Sequence, residues 1–428
     1  MIVSISPSKI SGSIHAPSSK SSMQRACAVA LISGGTTIIE NAGKSNDEEA
    51  AQDIIGKLGA RLDYKRNQII VTSSKKIFTS TDKNKHTTLS CGESGLSLRM
   101  FVPLAALYNY EITFTGVGSI LRRPIDFFDK VLPQLGVSVH SNDGLLPITL
   151  KGPLKPTNIT IDGSLSSQFL TGLLIAYSKA CTAPVSIKVN SLASKPYIDL
   201  TLNILNQFGF RIENENYEKF TVFPRDNDIN NTIKYKVEGD WSNTAFLLVA
   251  GAIAGGVTVK GADLNSTQGD KKIVDALEAI GAVVKFDGDA LHVKNKELSA
   301  FNFDATHAPD LFPPLVALAA FCKGNSTIKG VNRLLHKESN RALTLKKEFA
   351  KMSVTIDLDD DVMVVHGGKQ VHGAKVTSHN DHRIAMACAV AALGANGQTT
   401  IHEADAVNKS YPGFFDDIKL VGASLQLS

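Results

Sequence analysis

A pattern repeated six times along the 428 residues restricts the possible folds of this chain more than any other feature. The stretch GGTTIIENAGKSNDEEAAQDIIGKLGARLDY, starting at Gly34, is matched by GGVTVKGADLNSTQGDKKIVDALEAIGAVVKF, starting at Gly255. Both read as a strand, a polar loop, an amphipathic helix, a glycine stop and a further strand. The stop recurs at Gly59, Gly136, Gly209, Gly281 and Gly422, with Ser353 in the remaining copy, so repeats of about 70 to 77 residues fill the chain. Glycine suits that point because a left-handed residue ends a helix there without steric cost.

Each repeat carries a second helix of another kind. Small and apolar residues cover it nearly all round, which predicts burial. These helices are MQRACAVALI, LSLRMFVPLAAL, QFLTGLLIAYS, TAFLLVAGAIA, LFPPLVALAA and HRIAMACAVAAL. Polar clusters stand ahead of them: SSKSS, CGESG, SLSS, EGDWSN, THAPD and SHND. A helix start offers unpaired N–H groups and partial positive charge, and so favours bound phosphate or carboxylate. Serine, aspartate and asparagine are also ordinary helix caps, so one cluster alone says little. Six in register, four of them beside Lys, Arg or His, point to anion recognition.

A chain of this length exceeds one hydrophobic core. Three repeats apiece predict two domains, residues 1–19 with 238–428 and residues 20–237, with hinges near Lys20 and Glu238. The composition, 43% hydrophobic and 20% charged, is that of a soluble globular protein. A net charge of +4 does not form the basic stripe of a nucleic-acid binder. Cys27, Cys91, Cys181, Cys322 and Cys388 are scattered, without CxxC or metal-finger spacing, as expected of reduced thiols in a cytosol. No stretch reaches the roughly 18 apolar residues of a membrane span. The run from Ala26 to Ile32 is too short and too far from Met1 for an ordinary signal peptide, so a cytoplasmic address is expected.

Several constellations carry chemistry. In Ser18-Ser19-Lys20-Ser21-Ser22-Met23-Gln24-Arg25, Ser21 and Arg25 are four apart on one helix face, and two cations with several hydroxyls make an anion site. Gly92-Glu93-Ser94-Gly95 lets backbone approach a ligand, and Arg99 follows one turn into an apolar helix. Arg122-Arg123-Pro124 offers guanidinium forks. Ser166-Ser167-Gln168 and Ser194-Lys195-Pro196-Tyr197 suit a polyhydroxylated, phosphorylated substrate. Asp310, after Pro309, stands where burial and charged neighbours can tune a general base. Lys337-Glu338-Ser339-Asn340-Arg341 places Lys337 and Arg341 four apart, which predicts one helical face, with Glu338 available to relay protons. Asn380-Asp381-His382-Arg383 heads a buried helix, with His382 read as a hydrogen-bond donor, and Lys409 completes the basic set. The histidines have no HxxxH or HxH spacing, so no metal site is read.

KSSMQRA, GESGLSLR, LRRPID, SLSSQFLTGLL, SLASKPYIDLTL, NSTQGD, the HKESNR stretch and SHNDHRIAMA occur in the order seen in the 5-enolpyruvylshikimate-3-phosphate (EPSP) synthases, and the resemblance covers essentially the whole chain. It implies an α/β fold of two domains, an inside-out α/β barrel with three βαβαββ repeats in each. The active site would lie in the cleft between domains that close over the substrates. It implies that phosphoenolpyruvate and shikimate 3-phosphate give 5-enolpyruvylshikimate 3-phosphate and phosphate through a tetrahedral intermediate. No metal or organic cofactor would be needed, and the enzyme would work as a monomer. Shikimate 3-phosphate would meet Lys20, Ser21, Arg25, Ser166, Ser167, Gln168, Ser194, Tyr197, Asp310 and Lys337. Phosphoenolpyruvate would meet Lys20, Gly95, Arg123, Gln168, Arg341, Arg383 and Lys409. Catalysis would fall to Asp310, Glu338, Lys20, Lys337 and His382. Asp310 would take the 5-hydroxyl proton, and Glu338 would serve the methylene carbon.

The chain also departs from the family pattern. Glu93 stands where an amide is usual, Leu96 where a hydroxyl is usual, and Asn340 where an acid is common. The spacing before Lys337 is one residue longer. The alternatives are the sister transferase acting on a UDP-amino sugar and a non-catalytic anion binder. The first usually carries a cysteine before its Arg-Pro pair, whereas Gly118–Pro124 has none. The second has no use for acids such as Asp310 and Glu338 beside its cations.

Overall fold

The computed structural model describes every residue except 75, 76, 80, 81, 83, 84, 226–231 and 336. Among the described residues there are six four-stranded sheets, and all share one pairing scheme: a parallel pair followed by two antiparallel pairings. In the sheet built from Ile159–Asp162, Val185–Asn190, Lys219–Val222 and Ile212–Glu215, Ile159 lies parallel beside Ile187, while Val185 and Ile212 both face Val222 across antiparallel pairs.

Only three of the six sheets are contiguous in sequence. The strand Ile233–Lys236 returns to pair with Gly35–Glu40. Ser13–His15 pairs with Gly256–Lys260. Val3–Ser6 inserts between Thr399–His402 and Ser424–Leu427. Backbone hydrogen bonds therefore tie residues 1–17 to the C-terminal part of the chain, and they join the two ends of the middle part in one sheet.

The chain accordingly divides into two compact units, Met1–Pro17 with Glu238–Ser428, and Ser18–Val237. Ser18 and Ser19, expected in the first piece, belong to the second. The reason is local: Ser19 caps the Lys20–Ser33 helix by accepting from Ser22 N–H.

Each unit has its own apolar core, centred on three of the buried helices: Lys20–Ser33, Gly95–Ala105 and Ser167–Ala180 in one, Trp241–Ala254, Phe312–Ala320 and His382–Gly394 in the other. Their small residues permit close approach. A Cβ on Gly172 would lie 2.7 Å from the carbonyl oxygen of Arg99. Helices such as Asn46–Lys57 and Arg341–Lys351 bury one face only, as their mixed sequences require. All six expected stops are left-handed, with φ from +75° to +110° at the five glycines and +67° at Ser353. No helix among the described residues is long and apolar enough to cross a membrane. All five cysteines are free thiols. Burial pushes those of Cys91 and Cys322 up to about 12, the behaviour of packed rather than reactive groups.

Candidate active site

Five of the six buried helices are capped by the side chain that precedes them: Ser19, Ser94, Ser166, Asp240 and Asp381. Asp310 differs. It lies in a short turn, Pro309–Leu311, before the Phe312–Ala320 helix, and its carboxylate is taken up by cations. The expected site residues fall into two groups, one in each unit.

In the Ser18–Val237 unit, Lys20 opens its helix and its Nζ lies 2.8 Å from Asp47 Oδ2, with both side chains largely shielded. Asp47 was not foreseen. The capping box of Ser45 and Glu48 sets the start of the helix that carries it, and a Ser-x-x-Glu pattern is the trace it leaves in the sequence. Arg25 is 1% exposed and acts as a clamp. Its Nε donates to Thr201 Oγ1 at 2.9 Å, its Nη1 to the Ser21 carbonyl at 2.8 Å, and its Nη2 to the Tyr197 carbonyl at 3.3 Å. Two expected substrate contacts, Ser21 and Tyr197, are thus fixed to one guanidinium. Ser194 takes a left-handed conformation, φ +53°, and its carbonyl accepts from Tyr197 N–H at 3.1 Å. This tight turn presents both residues at the start of the Lys195–Gln207 helix.

Gln168 sits one turn before Gly172, and the close helix approach there brings its Oε1 to 3.0 Å from Arg99 Nη1. The Arg99 guanidinium also lies over the Phe169 ring, 5.2 Å from its centroid. Ser166 accepts from Gln168 N–H at 3.2 Å, and Ser167 beside it is buried. Gly95, first residue of its helix, meets two guanidinium groups. A Cβ there would stand 2.8 Å from Arg123 Nη1 and 3.1 Å from Arg99 Nη1. Arg123 is buried, whereas Arg122 is exposed, which separates two arginines that sequence alone could not rank. A helix start with two adjacent guanidiniums is an anion-binding arrangement.

In the other unit the theme is acid against cation. Asp310 Oδ1 lies 3.1 Å from Lys337 Nζ and 2.9 Å from Arg341 Nη1, and its Oδ2 lies 3.1 Å from Arg383 Nη2. Arg341 is fully buried. It also reaches Glu338 Oε2 at 2.5 Å and Asp381 Oδ2, through Nε, at 3.0 Å. Ser339 Oγ donates to Asp381 Oδ2 at 3.1 Å, and Arg383 N–H donates to Asp381 Oδ1 at 3.0 Å. Lys409 Nζ donates to the Asn380 carbonyl at 2.5 Å. His382 is 2% exposed, with Nδ1 3.8 Å from Asp381 Oδ1. Lys337 and Arg341 were expected on one helical face, but they do not share a helix and meet instead at Asp310. The helix begins at Arg341, because Asn340 caps it by accepting from Leu343 N–H. His336, first residue of the HKESNR stretch, lies outside the described residues.

The electrostatics follow from these contacts. Burial alone would raise the Asp310 carboxyl, but Arg383, Lys337 and Arg341 together hold it well below the ordinary carboxylate range. Burial lowers the Lys337 ammonium, and the pull of Asp310 offsets this only in part. Arg341 would also be lowered by burial, yet Asp381, Glu338 and Asp310 leave it raised overall. Asp381 was noted in the sequence only as part of a cluster. Its complete burial under Arg341 gives it an anchoring role.

The family model described as EPSP synthase (3-phosphoshikimate 1-carboxyvinyltransferase) matches residues 5–418. A 3-phosphoshikimate 1-carboxyvinyltransferase of Clostridium novyi is 35% identical over 424 residues, covering 98% of this chain and 97% of that one. One from Methanocorpusculum labreanum is 34% identical over 423 residues, covering 99% of both. Among solved structures, an EPSP synthase of Acinetobacter baumannii superposes with a TM-score of 0.82 at 23% identity, covering 100% of this chain and 99% of that one. The enolpyruvyl transferase NikO of Streptomyces tendae reaches 0.78 at 18% identity, covering 99% and 98%. At those identities the two structures speak for the fold alone. The full-length match to the family model and the relatives above 30% identity go further: this chain belongs to the EPSP synthase family.

Proposed function

We propose that the two residue groups carry out one reaction, the transfer of the enolpyruvyl group of phosphoenolpyruvate to the 5-hydroxyl of shikimate 3-phosphate, with release of phosphate. The observation that carries this reading is the ion-pair set in which Asp310 meets Lys337, Arg341 and Arg383, and Arg341 also meets Glu338. An anion binder gains nothing from burying carboxylates against its cations, whereas an enzyme that moves two protons needs them.

Arg25, Ser21, Ser166, Ser167, Gln168, Ser194 and Tyr197 hold shikimate 3-phosphate. Lys20, Gly95, Arg123, Arg341, Arg383 and Lys409 hold phosphoenolpyruvate. Asp310 is ionised and takes the proton of the 5-hydroxyl as that oxygen bonds to C2 of phosphoenolpyruvate. Glu338 protonates the methylene carbon, giving the tetrahedral intermediate. It then removes a proton from the same carbon as the C2–O bond to phosphate breaks, and the proton held by Asp310 leaves with the phosphate, which restores both carboxyl groups to their starting states. With its three cations unshared, Asp310 is a weak base. The arriving phosphate and carboxylate groups compete for Lys337, Arg341 and Arg383 and so raise its proton affinity when it is needed. Excluding water strengthens each of these contacts. The same reading makes the protein a cytoplasmic monomer that requires no metal or organic cofactor.

The test is phosphate release from phosphoenolpyruvate. Release that depends on added shikimate 3-phosphate is expected. Folded protein that releases none, or releases it only with UDP-N-acetylglucosamine, refutes the reading.

A further inference from the structure

Glu93 is the acid that stands where the family usually has an amide, and the structure supplies it with a task. Its Oε2 accepts from Ser119 N–H at 3.0 Å, at the start of the short Gly118–Arg122 turn. Backbone N–H groups at such a start lack partners within the turn and favour a carboxylate. The fit is close: Gly118 has φ +63°, and a Cβ there would lie 2.4 Å from the Glu93 carboxylate. Val117 N–H donates to the Gly92 carbonyl at 2.9 Å, so a second hydrogen bond joins the two loops beside the first.

The turn ends at Arg123. Its N–H donates to the Ile120 carbonyl at 3.2 Å, and its Nη2 donates to Ser119 Oγ at 3.3 Å. Ser119 therefore touches Glu93 through its backbone and Arg123 through its side chain. The Glu93 loop is itself fixed, because Ser94 Oγ and Ser97 Oγ both donate to Gln24 Oε1, at 3.1 and 2.9 Å. Gln24 is fully buried in the helix that Lys20 opens. Hydrogen bonds thus fix Ser94 to Gln24 of that helix, and its chain neighbour Glu93 passes the connection on to Ser119 and Arg123.

We infer that Glu93 is a positioning residue. Its carboxylate holds the Gly118-Ser119 backbone so that the Arg123 guanidinium stands beside Gly95, where the phosphoenolpyruvate anion is bound. A carboxylate has only acceptor oxygens, so it pins the turn without offering a donor of its own. The inference rests on the function proposed above.

The experiment compares Glu93→Ala, Glu93→Gln and Gly118→Ala with the wild type. Each Michaelis constant is measured separately, the melting temperature serves as a folding control, and trypsin cleavage after the exposed Arg122 is timed. Loss of a hydrogen bond to a charged group should raise the phosphoenolpyruvate KM about tenfold in Glu93→Ala. The shikimate 3-phosphate KM should hold, and kcat should fall less than the phosphoenolpyruvate KM rises. Glu93→Gln keeps an acceptor and should restore most of the loss. Gly118→Ala, whose methyl would displace the carboxylate, should reproduce it. Cleavage after Arg122 should quicken about tenfold in the Ala variants and not in Glu93→Gln. An unchanged phosphoenolpyruvate KM in Glu93→Ala, or equal rises for both substrates, overturns the inference. If the wild type releases no phosphate, the proposed function fails first. The proteolysis still decides the anchor: unchanged cleavage in both Ala variants overturns it.

Discussion

The two residue groups hold their cations in different ways. Around Asp310, Arg341 and Arg383 lie against carboxylates, and the buried charges largely cancel. In the Ser18–Val237 unit, Arg25, Arg99 and Arg123 rest on hydroxyl, amide and carbonyl oxygens. A neutral acceptor orients a guanidinium without neutralising it, so the field it presents to an incoming anion stays strong. A carboxylate partner gives up that field and gains a group able to exchange a proton. On the function proposed above, the arrangement around Asp310 suits proton transfer beside phosphoenolpyruvate, and that of the Ser18–Val237 unit suits recognition. Lys20 with Asp47 is the instructive exception, since the recognition group also contains one close ion pair.

The largest expected effect tests the proton-transfer assignment. Asp310→Ala and Glu338→Ala should each lower kcat about 10²–10⁴-fold while shifting either substrate's KM far less, as measured by steady-state phosphate release. A loss confined to KM would take proton transfer away from Asp310 and Glu338. Next is stability. Arg341→Ala would strip the fully buried Asp381 of its guanidinium partner and remove one of the three cations around Asp310, and should cost about 3–5 kcal/mol in urea unfolding. A loss below about 1 kcal/mol would mean that the buried charges do not depend on one another.

In the recognition group, Arg25→Ala should raise the KM for shikimate 3-phosphate about 10–100-fold and change kcat far less. Equal losses in both constants would erase the contrast with Asp310.

Acid should also separate the groups. The folded chain keeps Asp310 ionised well below pH 3.8, while the unfolded chain protonates it near that value. On acidification through that range the unfolded state binds the extra proton, so stability is lost as pH falls. The urea midpoint should drop between about pH 5 and 3, and Asp310→Asn should make that drop shallower. The smallest effect concerns Ser353, the one helix stop that is not glycine. Ser353→Gly relieves a left-handed side chain and should raise stability by up to about 1 kcal/mol.

Much of this was legible in the residues. The pattern of helix starts and stops, the burial of the alanine-rich helices and the inert cysteines are local properties, set by side-chain size, capping chemistry and backbone freedom. What stayed hidden depends on distant pairing. Glu93 looked like a misplaced acid until Ser119 stood 3.0 Å away. Asp47 gave no hint that it would face Lys20. Lys337 and Arg341 suggested one helix by their spacing, whereas Asn340 starts the helix after Lys337, and the two meet through Asp310 instead.

The sequence by itself therefore determined the elements and the kinds of group present, because hydrophobic period, caps and glycine conformations act over a few residues. Only the tertiary structure decided which charge faces which. Coulomb and hydrogen-bond energies depend on separations of a few ångströms, and the chain sets those by bringing together residues tens of positions apart, as with Asp310 and Arg383.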